Sequence, residues 1–429
     1  MKKIILTIFF NLLIFSVKAE ENLKFYLKKA LDNNLQLNAE RKSFESAKQD
    51  KNISRSEFLP NLTISGDQTS TTSTNRIDQS GSSLSDTNLD SENKTISLEQ
   101  KIFSGFKGIN TFKKSELETQ KADLELKDIE QKTILDTAFA YYDLIYKTKN
   151  EKFNILNVNL FERQVEFDNA RLQKGQVTLT DLAQSESSLA GANANLIKAN
   201  TELYSSKTNF ERVTREKAPN IENLNEKVIL KLPSSLSSAL KISELKNINF
   251  LISKLDYEIS IKELNIERSR FSPSASIKVS KSENKDFSST VDEKDDETVK
   301  ATITWPIIKG GENISTIKKS SYDKQRSKLL LQDTENLINI ETSNAWSQFQ
   351  SSKSVLEATK AQLKAAEIAN EGITLEYDSG NTRTTLELIQ SRSLLLDARI
   401  SFARAERDFV VSQFELAKQI GTLSVNSLK

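Results

Sequence analysis

Residues 109–174 read INTFKKSELETQKADLELKDIEQKTILDTAFAYYDLIYKTKNEKFNILNVNLFERQVEFDNARLQK, 66 positions with neither glycine nor proline, and Gly175 follows at once. Glycine and proline are the usual interrupters of a helix, so the run predicts one continuous helix. At about 1.5 Å per residue such a helix is roughly 100 Å long, several times the width of an ordinary domain. The pattern returns at residues 312–371, 60 more positions free of both, followed by Gly372 and a turn at Gly380. Two such helices, each folding back at a glycine, constrain any functional reading.

The segments around them repeat. Before the first long helix, 23–57 is helical in pattern and stops at Phe58-Leu59-Pro60. The period then falls to two, with Leu62, Ile64 and Gly66 alternating with Thr63 and Ser65. A polar run over 67–94 precedes a second alternating stretch, in which Ile96, Leu98 and Ile102 face away from Thr95, Ser97 and Glu99. This predicts a hairpin of two strands, each about ten residues, joined by a long polar loop. Past Gly175 a returning helix is expected over 180–217. A connector over 219–235, containing Val228-Ile229-Leu230, leads to a second copy. There a helix over 236–270 ends at Phe271-Ser272-Pro273, and Ala275, Ile277 and Val279 alternate with Ser276, Lys278 and Ser280. An acidic loop over 283–297 and a strand through Val299, Ala301, Ile303 and Trp305 complete the hairpin. Gly105 and Gly310 lie 205 apart, as do Gly175 and Gly380, Thr137 and Thr342, and Ala140 and Ala345. Beyond the turn the offset is 206, pairing Leu182, Gln184, Leu189 and Ala199 with Leu388, Gln390, Leu395 and Ala405. The chain therefore reads as a duplication. A first repeat covers 20–218, with a β-hairpin at 60–104 and a helical hairpin at 109–217. A linker covers 219–235, and a second repeat 236–429, with a β-hairpin at 273–308 and a helical hairpin at 312–420.

Composition narrows the chemistry. The chain has 60 basic and 59 acidic residues and so lacks the basic excess that nucleic-acid binding requires. It contains no cysteine and no histidine, which excludes disulfides, zinc fingers, thiol nucleophiles and histidine bases. No enzyme, cofactor or metal site is expected. Residues 1–19 read as an export signal. Lys2 and Lys3 precede an apolar run over 4–15, and Val17-Lys18-Ala19 forms a small-residue cleavage site. The apolar run is too short to span a bilayer as a helix. An exported chain with no later apolar helix crosses a membrane only by strands.

Strands of about ten residues, apolar on one face and Ser, Thr or Lys on the other, suit lipid outside and a wet lumen inside. Four strands cannot close a barrel, since the smallest closed ones have about eight. An open edge in lipid leaves backbone groups unpaired, so the chain must oligomerise, and three copies supply twelve strands. Along the first long helix Leu117, Leu124, Ile134, Leu135, Ala138, Phe139 and Tyr142 recur every three or four positions, an apolar stripe on one side. Such helices pack as coiled-coil hairpins rather than a globule.

Taken together, these pieces resemble the TolC-like outer membrane efflux channels, also called outer membrane factors. The likeness rests most on Gly175-Gln176-Val177-Thr178-Leu179-Thr180-Asp181-Leu182 and Gly380-Asn381-Thr382-Arg383-Thr384. Phe58-Leu59-Pro60-Asn61-Leu62, Pro306-Ile307-Ile308-Lys309-Gly310-Gly311 and Gly421-Thr422-Leu423 support it. The resemblance implies a mainly α chain with a transmembrane β-barrel. Three chains would form a twelve-strand barrel in the outer membrane, continuous with a twelve-helix periplasmic tunnel. It implies a periplasmic adaptor and an inner-membrane transporter as partners, in efflux or type I secretion. By the same resemblance, Gly175, Gln176, Val177, Thr178, Leu179, Leu182, Gly380, Asn381, Thr382 and Thr384 form the adaptor-docking tip. Arg171, Leu172, Glu376 and Leu386 lie beside it. Asp181 and Arg383 stand where the family links its hairpins to close the tip. Glu387 matches one acidic ring of the family, whereas Gln390 occupies the other without charge. Tyr377 lies near the gating tyrosine. The main rival is a periplasmic adaptor or structural coiled coil without a pore. Adaptors normally carry one helical hairpin within a β-rich domain, and this chain carries two.

Overall fold

The computed structural model describes residues 22–219, 230–288, 290–379 and 383–427. The expected export signal, Val228, Ile229 and the turn residues Gly380, Asn381 and Thr382 lie outside this set. Eight α-helices and six strands follow one another among the described residues. In order they are α1 (Leu23–Asn33), α2 (Leu35–Arg55), β1 (Asn61–Ser73), β2 (Arg76–Ile77), β3 (Ser83–Leu84), β4 (Thr87–Ser104), α3 (Lys107–Gln173) and α4 (Leu179–Thr214). Then come α5 (Leu236–Lys246), α6 (Ile248–Arg268), β5 (Ser274–Ser288), β6 (Val291–Thr304), α7 (Glu312–Asp378) and α8 (Thr385–Gln419).

Both long helices run 67 residues without a break. α7 outruns its expected end because Gly372 sits inside it, where a lone glycine costs about 1 kcal/mol and does not stop a helix. The helices expected over 23–57 and 236–270 are each split. Asn34 and Asn247 adopt extended backbone (ψ 120° and 123°). Each accepts an N–H bond three residues on, from Leu37 and Phe250, both at 3.0 Å. An asparagine mid-pattern offers the backbone a capping partner in place of the helical one, and here it prevails twice.

The strands correct the sequence reading more strongly. They are 13, 18, 15 and 14 residues long instead of about ten. Most of the polar stretches assigned to loops are strand. Thr69 faces Ser91 and Ser70 faces Asp90 in the first hairpin, and Glu283 faces Asp295 in the second. Cross-strand pairing does not require apolar side chains where one or both faces meet water. The four strands form one antiparallel sheet in the order β1-β4-β5-β6, so β4 and β5 join the two repeats.

Two compact units result, each drawing on both repeats. One comprises residues 39–128 and 244–339 and contains the sheet with the helix segments that lead into it. There Lys51 meets Glu116 (2.9 Å), Lys114 meets Glu263 (2.9 Å) and Lys121 meets Asp256 (2.7 Å) across α2, α3 and α6. Such half-exposed pairs contribute about 0–1 kcal/mol each and mainly set register. Gly105 ends β4 at φ +62°, and an added Cβ would lie 2.3 Å from Ser272 Cβ.

The other unit comprises the described residues of 22–38, 129–243 and 340–427. Its core gathers Leu23, Tyr26 and Leu27 of α1, Ile134, Ala138, Tyr141 and Leu144 of α3, Leu203 and Phe210 of α4, and Phe414 and Ala417 of α8. Tyr26 packs edge-on against Phe210 at 4.9 Å. Large side chains buried this fully contribute about 1.5–3 kcal/mol each. Leu230, from the connector, joins the same cluster. The expected apolar stripe on α3 is only part of the buried surface. Phe139 is 41 % exposed, whereas Thr137, Ala140 and Tyr141 are buried. Thr137 and Thr342, paired by the 205-residue offset, are both fully buried, whereas of Ala140 and Ala345 only the first is.

Candidate functional site

The turn after α3 is built as its sequence directs. Gly175 takes φ +67°, its N–H reaches Leu172 O at 2.9 Å, and the Gln176 N–H reaches Arg171 O at 2.9 Å. Those two bonds form a Schellman motif, which needs a left-handed residue at the glycine. Gly175 and Gln176 are exposed, as are Thr178 and Leu179, while Val177 and Leu182 are half-buried. Thr178 then caps α4. The Asp181 N–H donates to Thr178 Oγ1 (3.2 Å), and Asp181 Oδ2 accepts from the Thr178 N–H (2.8 Å) and hydroxyl (2.7 Å). These bonds, the backbone one foremost, hold the Asp181 carboxyl below its usual pKa. Both fall on Oδ2 and leave Oδ1 without a bond among the described residues.

The second turn repeats the device at an offset of 206. Thr384 caps α8, and Glu387 Oε2 accepts from the Thr384 N–H at 2.8 Å. Glu387 is therefore the counterpart of Asp181, and both are capping-box carboxylates. Arg383 has no such counterpart, because Val177 occupies its place in the first repeat. Its guanidinium bonds Glu376 Oε2 (2.6 Å) and Glu387 Oε1 (3.1 Å). The two carboxylates, Glu376 first, raise the arginine's pKa. That of Glu387 is lowered, first by the Thr384 N–H and then by Arg383. Within one chain, then, Arg383 is engaged by Glu376 and Glu387, and Asp181 by Thr178. Gln390 is exposed and lies with Glu387, Ala369, Ile373 and Leu394 along a groove between α7 and α8. Leu172 is half-buried; Leu386 is 45 % exposed.

Tyr377 is placed unlike the rest, at only 3 % exposure. Its hydroxyl donates to Asp168 Oδ1 (2.9 Å), accepts from Gln164 Nε2 (3.1 Å) and lies 3.2 Å from Thr385 Oγ1. Asp168 is fully buried and also accepts from Ser185 Oγ at 2.5 Å. Arg392 reaches Gln164 Oε1 at 3.1 Å, and the Arg171 guanidinium stacks 5.4 Å from the Tyr377 ring. Burial pushes the Tyr377 phenol's pKa up and keeps it a donor. This knot ties α3, α4, α7 and α8 together just above the turns, and sequence reasoning missed it. The signal was present as Asn150, Asn154, Asn157, Phe161, Gln164 and Asp168, a buried and mostly polar row at three- and four-residue spacing. Reading periodicity for apolar residues alone passes over such a row.

The Outer membrane efflux protein family matches residues 26–214 and 255–422, and the chain belongs to that family. Outer membrane efflux protein BepC of Brucella suis is 23 % identical over 413 residues, which cover 95 % of this chain and 87 % of that protein. Outer membrane protein TolC of Escherichia coli is 22 % identical, with 96 % of this chain and 85 % of that protein covered. The crystal structure of the Campylobacter jejuni CmeC outer membrane channel superposes with a TM-score of 0.81 at 16 % identity, covering 94 % of this chain and 86 % of that one. Family membership places the protein in the outer membrane as a transport protein rather than an enzyme, and it removes the adaptor reading.

Proposed function

We propose that three copies of this chain form an outer-membrane exit duct, through which substrates pass from an inner-membrane transporter to the exterior. The observation that carries this reading is the sheet β1-β4-β5-β6, whose strands of 13–18 residues end at two unpaired edges, β1 and β6. Lipid does not tolerate such edges, and three sheets closed edge to edge remove them in a twelve-strand barrel. The 67-residue helices α3 and α7 continue as a twelve-helix tunnel whose turns form the periplasmic tip. The exposed turn residues Gly175, Gln176, Thr178 and Leu179, with Val177 and Leu182 behind them, form the adaptor-docking surface. Gly380, Asn381, Thr382 and Thr384 contribute to it from the second hairpin. The system is a tripartite efflux or type I secretion assembly, the class to which the family resemblance points.

The tip is the gate. Arg383 of one chain reaches the free Oδ1 of Asp181 on a neighbour, while Glu376 and Glu387 hold its guanidinium in place. Tyr377 fixes the two hairpins of each chain so that the tips meet in register. Single-channel conductance in planar bilayers tests this with the wild type and Arg383→Ala. The wild type gives a small conductance that rises several-fold in the variant. A conducting wild type unaffected by the substitution keeps the channel and removes the gate. Folded oligomers that never conduct remove the channel.

A further inference from the structure

The sheet has one face that is apolar near its helix-proximal end and one that is hydrophilic. On the first, Leu62, Leu98, Val279 and Val299 stand on a single rung, with Ile277 and Ala301 below. On the second, the rungs from the helix-proximal end outward are Lys101–Ser276–Thr302, Asn61–Glu99–Lys278–Lys300 and Thr63–Ser97–Ser280–Thr298. Exposure alternates over the middle of β4 and β5, while Glu99 and Lys278 on the second face are exposed. Thr95, Ser97, Ser280 and Ser282 are half-buried, whereas Ile96, Leu98, Val279 and Lys281 are exposed. The apolar face suits lipid, so in the barrel reading above the hydrophilic face is the lumen side.

Lys278 and Lys300 stand directly opposite each other on that face. Like charges facing across an antiparallel pair destabilise it. Neither has a carboxylate within 4.0 Å among the described residues; Lys101, one rung below, has Glu57 at 3.6 Å. Glu99, across from Lys278, offsets one of the two charges and leaves a net positive rung. Two rungs of Ser and Thr above it carry one further charge, Asp296, before Asp67 and Lys294. We infer that Lys278 and Lys300 form a basic ring in the lower barrel lumen that favours anionic solutes, those bearing carboxylate, sulfate or phosphate groups. The inference rests on the barrel reading above, in which three copies bring six lysines and three Glu99 to one level. A confined lumen with low-dielectric walls focuses such a field on passing ions.

The absence of cysteine from the chain makes the test clean, since an introduced thiol is the only one. Ser280→Cys places a thiol one rung above the lysines, and Val279→Cys places one on the lipid face. Each variant, in reconstituted membranes, is treated with the anionic reagent sulfonatoethyl methanethiosulfonate and the cationic trimethylammonioethyl analogue. The Ser280→Cys thiol reacts with both, and the ratio of anionic to cationic rates falls about fivefold when Lys278→Ser and Lys300→Thr are added, as expected for two charges within a Debye length. The Val279→Cys thiol stays unreactive. Removing a repulsive pair does not threaten folding. An unchanged ratio overturns the basic ring and leaves the channel standing. Equal reactivity at 279 and 280, or none at 280, overturns the barrel reading and the inference with it.

Discussion

At the scale of single residues, the tip is held by two kinds of contact that differ in worth. The capping boxes at Thr178 and Thr384 and the Arg383 bridges are exposed to water, where ion pairs are weak and screened by salt. Such contacts bias an equilibrium without locking it, as the gate proposed above requires. The Tyr377 knot is buried, and a buried polar group deprived of its partner costs about 1–3 kcal/mol. Tyr377→Phe removes the hydroxyl that donates to Asp168 and leaves that carboxylate short of a donor. Amide exchange along residues 160–172 of α3 then quickens by about ten- to a hundredfold, the factor corresponding to about 1.4–2.7 kcal/mol. Tyr322→Phe, at a position 67 % exposed, leaves exchange unaltered. Equal exchange in all three proteins would show that the knot does not hold the hairpins.

At the scale of elements, glycine acts according to its place. Gly105 combines a left-handed backbone with contact against Ser272 and Ser269, so its hydrogen is the only side chain that fits. Gly105→Ala is expected to destabilise the junction between β4 and α3 by about 2–4 kcal/mol, the sum of αL strain and overpacking. A lower temperature for loss of the folded, heat-modifiable form on gels reads this directly. Gly372→Ala, inside α7 with open space around it, leaves that temperature the same or higher. The long helices, the Gly175 turn and the duplication were legible in the sequence because each depends on local backbone preference. What escaped reading depends on which partner each polar group finds, near or far in the chain. The polar stretches at 67–94 and 283–297 carry no apolar alternation, yet most of their residues pair within their own hairpins, β1 with β4 and β5 with β6. Asn34 and Asn247 look like ordinary helix positions until their side chains are seen capping the next segment. Asp168 looks like a surface acid on a polar helix, and only Tyr377 and Ser185, from other elements, mark it as buried.

At the scale of the whole molecule, closure decides whether the sheet can stand in lipid. One chain ends its sheet at β1 and β6, and the apolar face around Leu62, Leu98, Val279 and Val299 has no covering layer in that sheet. A head-to-tail contact between β6 of one copy and β1 of the next closes a ring if its rotation divides the circle, and grows without limit if it does not. The cysteine-free background allows this to be read by cross-linking in the outer membrane. Ser65→Cys on β1 is combined in turn with Asp296→Cys, Thr298→Cys, Lys300→Cys and Thr302→Cys on β6, all on the hydrophilic face. Oxidation at the true register gives a covalent ladder that stops at three chains and survives boiling. A ladder running past three, or no cross-link at any of the four positions in folded protein, would contradict the closed twelve-strand barrel.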